Sequence, residues 1–200
     1  IIVSLILIYA GAAGRNRVEK SLAKPVNVGK LYAWEMVVEE FSFRMKQRSS
    51  DIADDYEIKT ALKDKDKNRV KHHAEKFYDL MKEQKVFSTL LLTDEAGEIV
   101  YSSAAPATGK SVQTTVAKAL KTQKETAGLE KDNNGNIVLS LAIPIKSRRK
   151  HYGTGVYNLE MGDLCQAVSK RDGSHIFIVS DTGTLSAGSD KALFKKLNLT

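Results

Sequence analysis

At Val86 the apolar pattern of this 200-residue chain changes period. Upstream, apolar residues recur every three or four positions; downstream, they alternate or run in short stretches bounded by Gly, Asn and Asp. The first pattern belongs to helices with one apolar face, the second to strands. A chain that passes from one to the other has to lay a sheet against helices. VFSTLLLTD (86–94), the tight turn EAG and EIVYSS (98–103) read as a β-hairpin, with Gly97 supplying the turn geometry. After a loop at 104–109, residues 110–122 place Val112, Val116, Ala119 and Leu120 on one helical face. ETAGLEKD (125–132), the turn NNG (133–135), NIVLSLAIPIK (136–146) and HYGTGVYNLEM (151–161) are three further strands. Consecutive strands joined by short turns predict an antiparallel five-stranded sheet of α+β type. In the fourth strand Ile137, Leu139, Leu141, Ile143 and Ile145 form one apolar face, and Val138, Ser140, Ala142 and Pro144 a smaller, partly polar one. Pro144 has no ladder donor and predicts an edge or a strand end.

The helical half runs from Arg15 to about Thr60, then on to Gln84. Leu31, Trp34, Val38, Phe41 and Met45, extended by Ile52, form a heptad-like seam, with Glu35, Glu39, Glu40, Lys46 and Arg48 opposite. Such a seam buries against a sheet face or against the same helix of a second copy. Pro25 predicts a kink or a restart, and Ser49-Ser50-Asp51 a cap for a new segment. Residues 64–68 are a charged connection, and Val70, Ala74, Phe77, Tyr78 and Met81 recur at helical spacing. His72 and His73 are adjacent, so on a helix they point about 100° apart and do not share a metal ion. They read as solvated helix residues.

Residues 1–14, IIVSLILIYAGAAG, are apolar and uncharged. They are shorter than the about 20 residues of a full span. The run fits the outer part of a truncated transmembrane segment, a signal peptide with an A-x-A site, or a buried helix. After residue 161, GDLCQAVSKR reads as a short helix with Leu164, Cys165 and Val168 packing inward. IFIVSDTGTLSAG then repeats the grammar of LLLTDEAGEIVYSS, which predicts a second, smaller α/β module ending in a helix-like KALFKKLNLT. Asp94 and Asp181 hold the same turn position in the two repeats. The predicted organisation is thus 1–14 truncated membrane segment, 15–84 helical stalk, 85–170 main module and 171–200 partial second module.

One cysteine excludes an internal disulfide, a CxxC pair and a thiolate zinc site. No GxSxG, P-loop, HExxH or dinucleotide fingerprint is present in the sequence, so catalysis and cofactors are not expected. The net charge is +7, but the 31 basic residues are mixed with 24 acidic ones and cluster densely only at KSRRK (146–150), a hairpin tip. Nucleic acid is therefore not an expected partner.

Thr93-Asp94-x-x-Gly97, Gly109-Lys110-Ser111, Ala142-Ile143-Pro144-Ile145 and the glycine-rich last strand (153–157), in this order behind a long helix, resemble the extracytoplasmic Cache (PAS-like) sensor domains. These domains occur in bacterial chemoreceptors (methyl-accepting chemotaxis proteins), sensor histidine kinases and cyclic-di-nucleotide enzymes. The resemblance covers residues 15–170. It implies a long helix packed on a PAS-like sheet, a homodimer through that helix, a ligand in the membrane-distal module, and a signal passed along the helix to the inner membrane. It places this region in the periplasm or the extracellular space. The Tyr/Arg/Trp/Asp pattern of the amino-acid-binding subgroup is absent from the sequence. Sheet geometry suggests a pocket beneath the 104–122 segment, lined at alternate positions by Tyr101, Ser103, Ser140, Ala142 and Tyr157. Lys110 and the amides of 109–111, opening a helix, would draw negative charge. A small carboxylate or other polar metabolite is the expected ligand; a ligand-free PAS-like structural module is the alternative.

Overall fold

The computed structural model describes residues 16–84, 86–104, 109–132, 136–147, 150–179 and 185–196. The expected membrane segment at 1–14, the NNG turn, Arg148 and Arg149 of the basic tip, and Asp181 lie outside these residues. Among the described residues no helix is long and apolar enough to cross a membrane. Contacts divide the chain into two units, one of residues 42–160, the other of residues before Ser42 together with those from Met161 on.

Helix α1 (Asn16–Asp54) is one element; Pro25 does not end it. A proline inside a helix forfeits one backbone bond, and good helix formers on either side (EKSLAK before it, KLYAWEM after it) sustain the rest. The Ser49-Ser50 cap does not form either. Both hydroxyls turn back and donate to the helix's own carbonyls, Lys46 O and Gln47 O, at 2.9 Å. The breaks fall at aspartates instead. Asp55 caps α2 (Tyr56–Lys63) by accepting from Ile58 N at 2.7 Å, and Asp66 caps α3 (Lys67–Glu83) by accepting from Arg69 N at 3.0 Å. The seam shifts as well. Val37, Met45, Ser49 and Ile52 are buried, while Trp34, Val38 and Phe41 are half-buried; the side chain of Leu31 is not among those described.

The sheet contains β1 (Thr89–Asp94), β2 (Ile99–Ser102), β3 (Thr126–Lys131), β4 (Ile137–Ser147) and β5 (Lys150–Glu160) in the order β2-β1-β5-β4-β3, antiparallel throughout. The two longest strands occupy its middle. Pro144 lies in central β4, but beyond the last β3 pair, Thr126↔Ala142, so it marks the end of the ladder on that flank. In the β1–β2 turn Asp94 Oδ1 accepts from Ala96 N and Glu98 N, each at 2.9 Å, and Gly97 takes φ +83°.

The sheet has two covered faces. On one, Phe77 and Tyr78 of α3 pack on Phe87, whose ring meets Tyr157 edge-on at 5.3 Å. The Tyr157 hydroxyl then donates to Ser49 O of α1 at 2.9 Å. This face is thus shared by the end of α1, α2 and α3 rather than covered by one rod. On the other, α4 (Thr114–Thr122) brings Val116 and Ala119 onto Leu91, Ile99, Ala142 and Val156.

The other unit holds α5 (Met161–Asp172), a hairpin of β6 (Phe177–Val179) and β7 (Leu185–Gly188), and α6 (Lys191–Lys196). Leu164, Cys165 and Val168 are buried, Arg171 donates to Glu40 of α1 at 2.6 Å, and Phe177 packs on Phe194 at 5.3 Å. Burial pushes the Cys165 thiol up to about 12, so it stays a packed, protonated side chain.

Candidate functional site

Helix α4 starts four residues later than its sequence pattern predicts. Gly109 has φ +87°, and Lys110 forms an antiparallel bridge with Glu98, so residues 109–111 extend the edge of β2 instead of opening a helix. Val112, read as part of the apolar face, is 70% exposed. Gln113 becomes the N-cap, yet its side chain caps nothing. The free amides are satisfied from the sheet. Glu130 of β3 accepts from Thr114 N at 2.6 Å and Thr115 N at 3.2 Å through Oε2, and the Thr115 hydroxyl donates to its Oε1. Burial works to raise the Glu130 carboxyl, but these hydrogen bonds outweigh it and hold the group below the usual carboxylate value.

The register explains what sits under this helix end. Gly128↔Ser140, Ser140↔Asn158 and Asn158↔Thr89 form one row across β3, β4, β5 and β1. On the α4 face this row is polar, whereas the next, Leu91, Val156 and Ala142, is apolar. Gln113, Thr115, Ser140 and Asn158 are all buried and joined. Gln113 Nε2 donates to Asn158 Oδ1 at 2.9 Å and Ser140 Oγ at 3.1 Å, with Glu130 Oε1 at 3.4 Å. Asn158 Nδ2 donates to Thr89 Oγ1 at 3.2 Å, and the hydroxyls of Ser140 and Thr115 lie 3.0 Å apart. A hydrogen-bonded cluster within an otherwise apolar layer gives direction and specificity rather than much net stability.

Of the six residues expected at the pocket, Ser140 lies in this cluster and Ala142 in the apolar row beside it; the other four lie elsewhere. Tyr157, one residue before Asn158, is on the opposite face and fully buried against α1, where burial, with Asp51 adding to it, raises its hydroxyl. Tyr101 is also on that opposite face. A bulge places Thr93 opposite Ile99 but Leu92 opposite Tyr101, so Val100 is an extra residue and the alternation slips by one. Burial, then Glu75, Tyr78 and Asp79 of α3, raise the Tyr101 hydroxyl. Ser103 closes the hairpin, its hydroxyl accepting from Leu90 N at 2.8 Å. Lys110 is exposed. The pattern thus missed Thr89, Gln113, Thr115, Glu130 and Asn158. One signal was available: Asn158 is the polar interruption of the apolar run in VYNLEM.

A cleft of about 290 Å³ lies between α1 and the end of β4, lined by Lys46, Ser50, Asp54, Glu125, Ile143 and Lys146 among others. Its charges are already paired. Lys46 meets Glu125 at 3.2 Å, Lys59 meets Asp54 at 3.2 Å, and Lys146 donates to Gln123 O. The cluster under α4 is the better candidate.

Its carboxylate makes a testable contribution to stability. A group whose folded value is lowered stabilises fully above its unfolded value and loses that contribution as the pH falls through the folded one. Urea midpoints are expected to fall as the pH drops through and below the ordinary glutamate range, and the Glu130→Gln chain to show a shallower fall. Parallel curves for the two chains would remove Glu130 as the cap of α4.

Solved structures share this architecture. The sensor domain of Escherichia coli DcuS matches with a TM-score of 0.58 and 18% identity over 67% of this chain and 98% of that one. The sensor domain of the Vibrio cholerae histidine kinase DctB matches with 0.63 and 13%, over 87% and 69%. The sensory domain of the Campylobacter jejuni chemoreceptor Tlp3, with isoleucine bound, matches with 0.58 and 17%, over 91% and 77%. No family model and no curated protein matches the chain. The fold is that of the Cache (PAS-like) sensor domains.

Proposed function

We propose that this chain is the extracytoplasmic sensory region of an inner-membrane receptor, binding a small polar metabolite between α4 and the sheet and passing the signal through α1. The observation that carries this reading is the buried row Ser140–Asn158–Thr89 with Gln113 above it. A few convergent polar groups within an otherwise apolar layer are what a recognition site uses to orient its ligand. The fold supports it, since sensor domains of a chemoreceptor and of a histidine kinase share it. Chemotaxis is the favoured output, with a histidine kinase or a cyclic-di-nucleotide enzyme as the other. The module of residues 85–170 is the ligand-binding one, residues 1–14 the anchor, residues 15–84 the stalk and residues 171–200 part of a second module.

The test is a thermal-shift panel of amino acids, amines and small carboxylates. A ligand of the folded state adds about 2.7 kcal/mol at 100 times its dissociation constant. At least one compound is expected to raise the melting temperature, and its effect to be lost in a folded Asn158→Leu chain. A panel in which every class leaves the melting temperature unchanged would overturn the reading.

In the proposed receptor α1 also pairs two copies. Tyr32, Met36 and Phe43 are 63%, 48% and 68% exposed and fall on one helical stripe. Phe43→Glu, at an exposed position of α1, is expected to shift the chain to monomer in sedimentation velocity. A dimer of unchanged affinity would place the pairing elsewhere.

A further inference from the structure

Strand β3 begins only at Thr126, opposite Ala142, while β4 runs on to Ser147. Residues 143–147 of β4 therefore have no strand on that flank, and the cleft between α1 and β4 opens there. Its volume of about 290 Å³ lies close to the lower end of ligand sites, about 300–1,000 Å³, which fits a small metabolite. Ala53, Ile143 and Pro144 give it an apolar wall, and Lys46 of α1 and Lys146 of β4 line it from two elements. The two lysines are held differently. Lys46 pairs with the Glu125 carboxylate at 3.2 Å. Lys146 pairs instead with a neutral group, donating to Gln123 O at the C-cap of α4. The negative end of the helix dipole holds this ammonium in place without cancelling its charge. We propose that the cleft binds a small carboxylate with an apolar body, its head group on Lys146 and its body against Ile143 and Pro144. The inference goes beyond the sensory reading above and does not rest on it, because the cleft lies on the α1 side of the sheet, away from the cluster under α4.

Three features of the surroundings favour it. First, Lys146 has donors to spare. An ammonium carries three hydrogens, Gln123 O takes one, and among the described residues no carboxylate pairs with it. A carboxylate accepts the remaining two in charge-assisted bonds. Second, the charges of the cleft balance apart from Lys146. Glu125 is matched by Lys46, and Asp54 by Lys59 at 3.2 Å. An anion brings the cleft to neutrality, whereas a cation adds to its excess. Third, Ile143 and Pro144 are only half-buried, so an apolar body laid on them removes their surface from water. The placement has a consequence for α1. Lys46, Ser50 and Asp54 are four residues apart and form one stripe on its last turns. A guest that touches this stripe and β4 together ties the helix to the sheet, close to where Tyr157 already holds Ser49 O.

The experiment is an NMR titration of the isotope-labelled chain at neutral pH with sodium 4-methylpentanoate, 4-methylpentan-1-ol and isopentylamine hydrochloride. The three share an apolar body and differ in the charge of the head group. The carboxylate is expected to bind and the alcohol and the amine not. The amide signals of Ser50, Ala53, Ile143 and Lys146 are expected to move, and those of Gln113, Ser140 and Asn158 to stay, a readout that needs no variant. Lys146→Met keeps an apolar stem and removes the charge, and is expected to weaken 4-methylpentanoate by about tenfold or more. Lys146→Arg, which keeps the charge, is expected to restore most of the affinity. An alcohol or amine that binds as tightly as the carboxylate, a folded Lys146→Met chain of unchanged affinity, or no binding of 4-methylpentanoate to the unaltered chain would each overturn the site. Binding that moves Gln113, Ser140 and Asn158 in place of the cleft signals also overturns it, and supports the sensory reading instead. That reading stands or falls separately, on the thermal-shift panel and Asn158→Leu.

Discussion

Alanine at position 153 is expected to unfold the chain under conditions in which the unaltered protein is stable. The Cβ it adds would lie 2.1 Å from the carbonyl oxygen of Thr93 and 3.2 Å from its carbon. Both are backbone atoms of β1, so no side chain can turn away to make room. Gly153 pairs with Asp94 across β1 and with Ile145 across β4, and the ladder shifts at the next residue, where Tyr152 is extra. The strand thus bends where β1 approaches most closely, and only a residue without Cβ fits. Overpacking costs typically about 1–3 kcal/mol, and a clash with backbone belongs at or above the top of that range. A loss of about 3 kcal/mol or more is a large share of the roughly 5–15 kcal/mol of a typical domain. Gly162→Ala is the matched control. Its added Cβ meets nothing within 4 Å and lies in α5, where alanine is the better helix former by about 0.5–1 kcal/mol. Denaturant midpoints and near-ultraviolet dichroism of the two chains check the pair. A Gly153→Ala midpoint equal to that of the unaltered chain would contradict the β1–β5 register.

The five strands, their antiparallel hairpins and the β6–β7 hairpin were legible because they rest on period and on turn residues, which are local, whereas the pairing of β1 with β5 is not. Asp94 and Gly97 specify their turn within five residues of chain. The helix boundaries were harder to read because serine and aspartate compete for the same role. Ser49 and Ser50 could have capped a helix, but inside α1 their hydroxyls found nearer carbonyls, and the capping fell to Asp55 and Asp66. No local pattern decides that competition. The start of α4 was misread for a tertiary reason: the cap comes from Glu130, 16 residues downstream of Thr114.

The candidate site was less legible than the fold, and the reason is parity. Alternation assigns faces correctly until an extra residue is inserted, after which every later assignment inverts. Val100 is such a residue, and it moves Tyr101 from the α4 face to the face of α3. In β5 the error was one of emphasis. Tyr157 is the larger polar side chain, but its neighbour Asn158 takes the face beneath α4. Gln113 carries no pattern at all, since its role depends on three strands meeting above one helix end.

That pairing of Tyr157 with Asn158 gives the second large effect. Tyr157→Ala is expected to cost about 3–5 kcal/mol, the usual range for removing a buried aromatic ring. The ring is fully buried, meets Phe87 at 5.3 Å, and its hydroxyl reaches Ser49 O of α1. Tyr157→Phe separates the two contributions. It keeps the ring and deletes only the bond to α1, at an expected cost of about 1 kcal/mol. The phenylalanine chain is also the informative one for signalling. In the proposed receptor the ligand acts on Asn158 from one side of β5, and Tyr157, next along the strand, holds α1 from the other. A folded Tyr157→Phe chain is therefore expected to bind its ligand with unchanged affinity while amide exchange in α1 between Met45 and Ile52 no longer responds to that binding. If the response of α1 persists at full size in Tyr157→Phe, the signal leaves the sheet by another route.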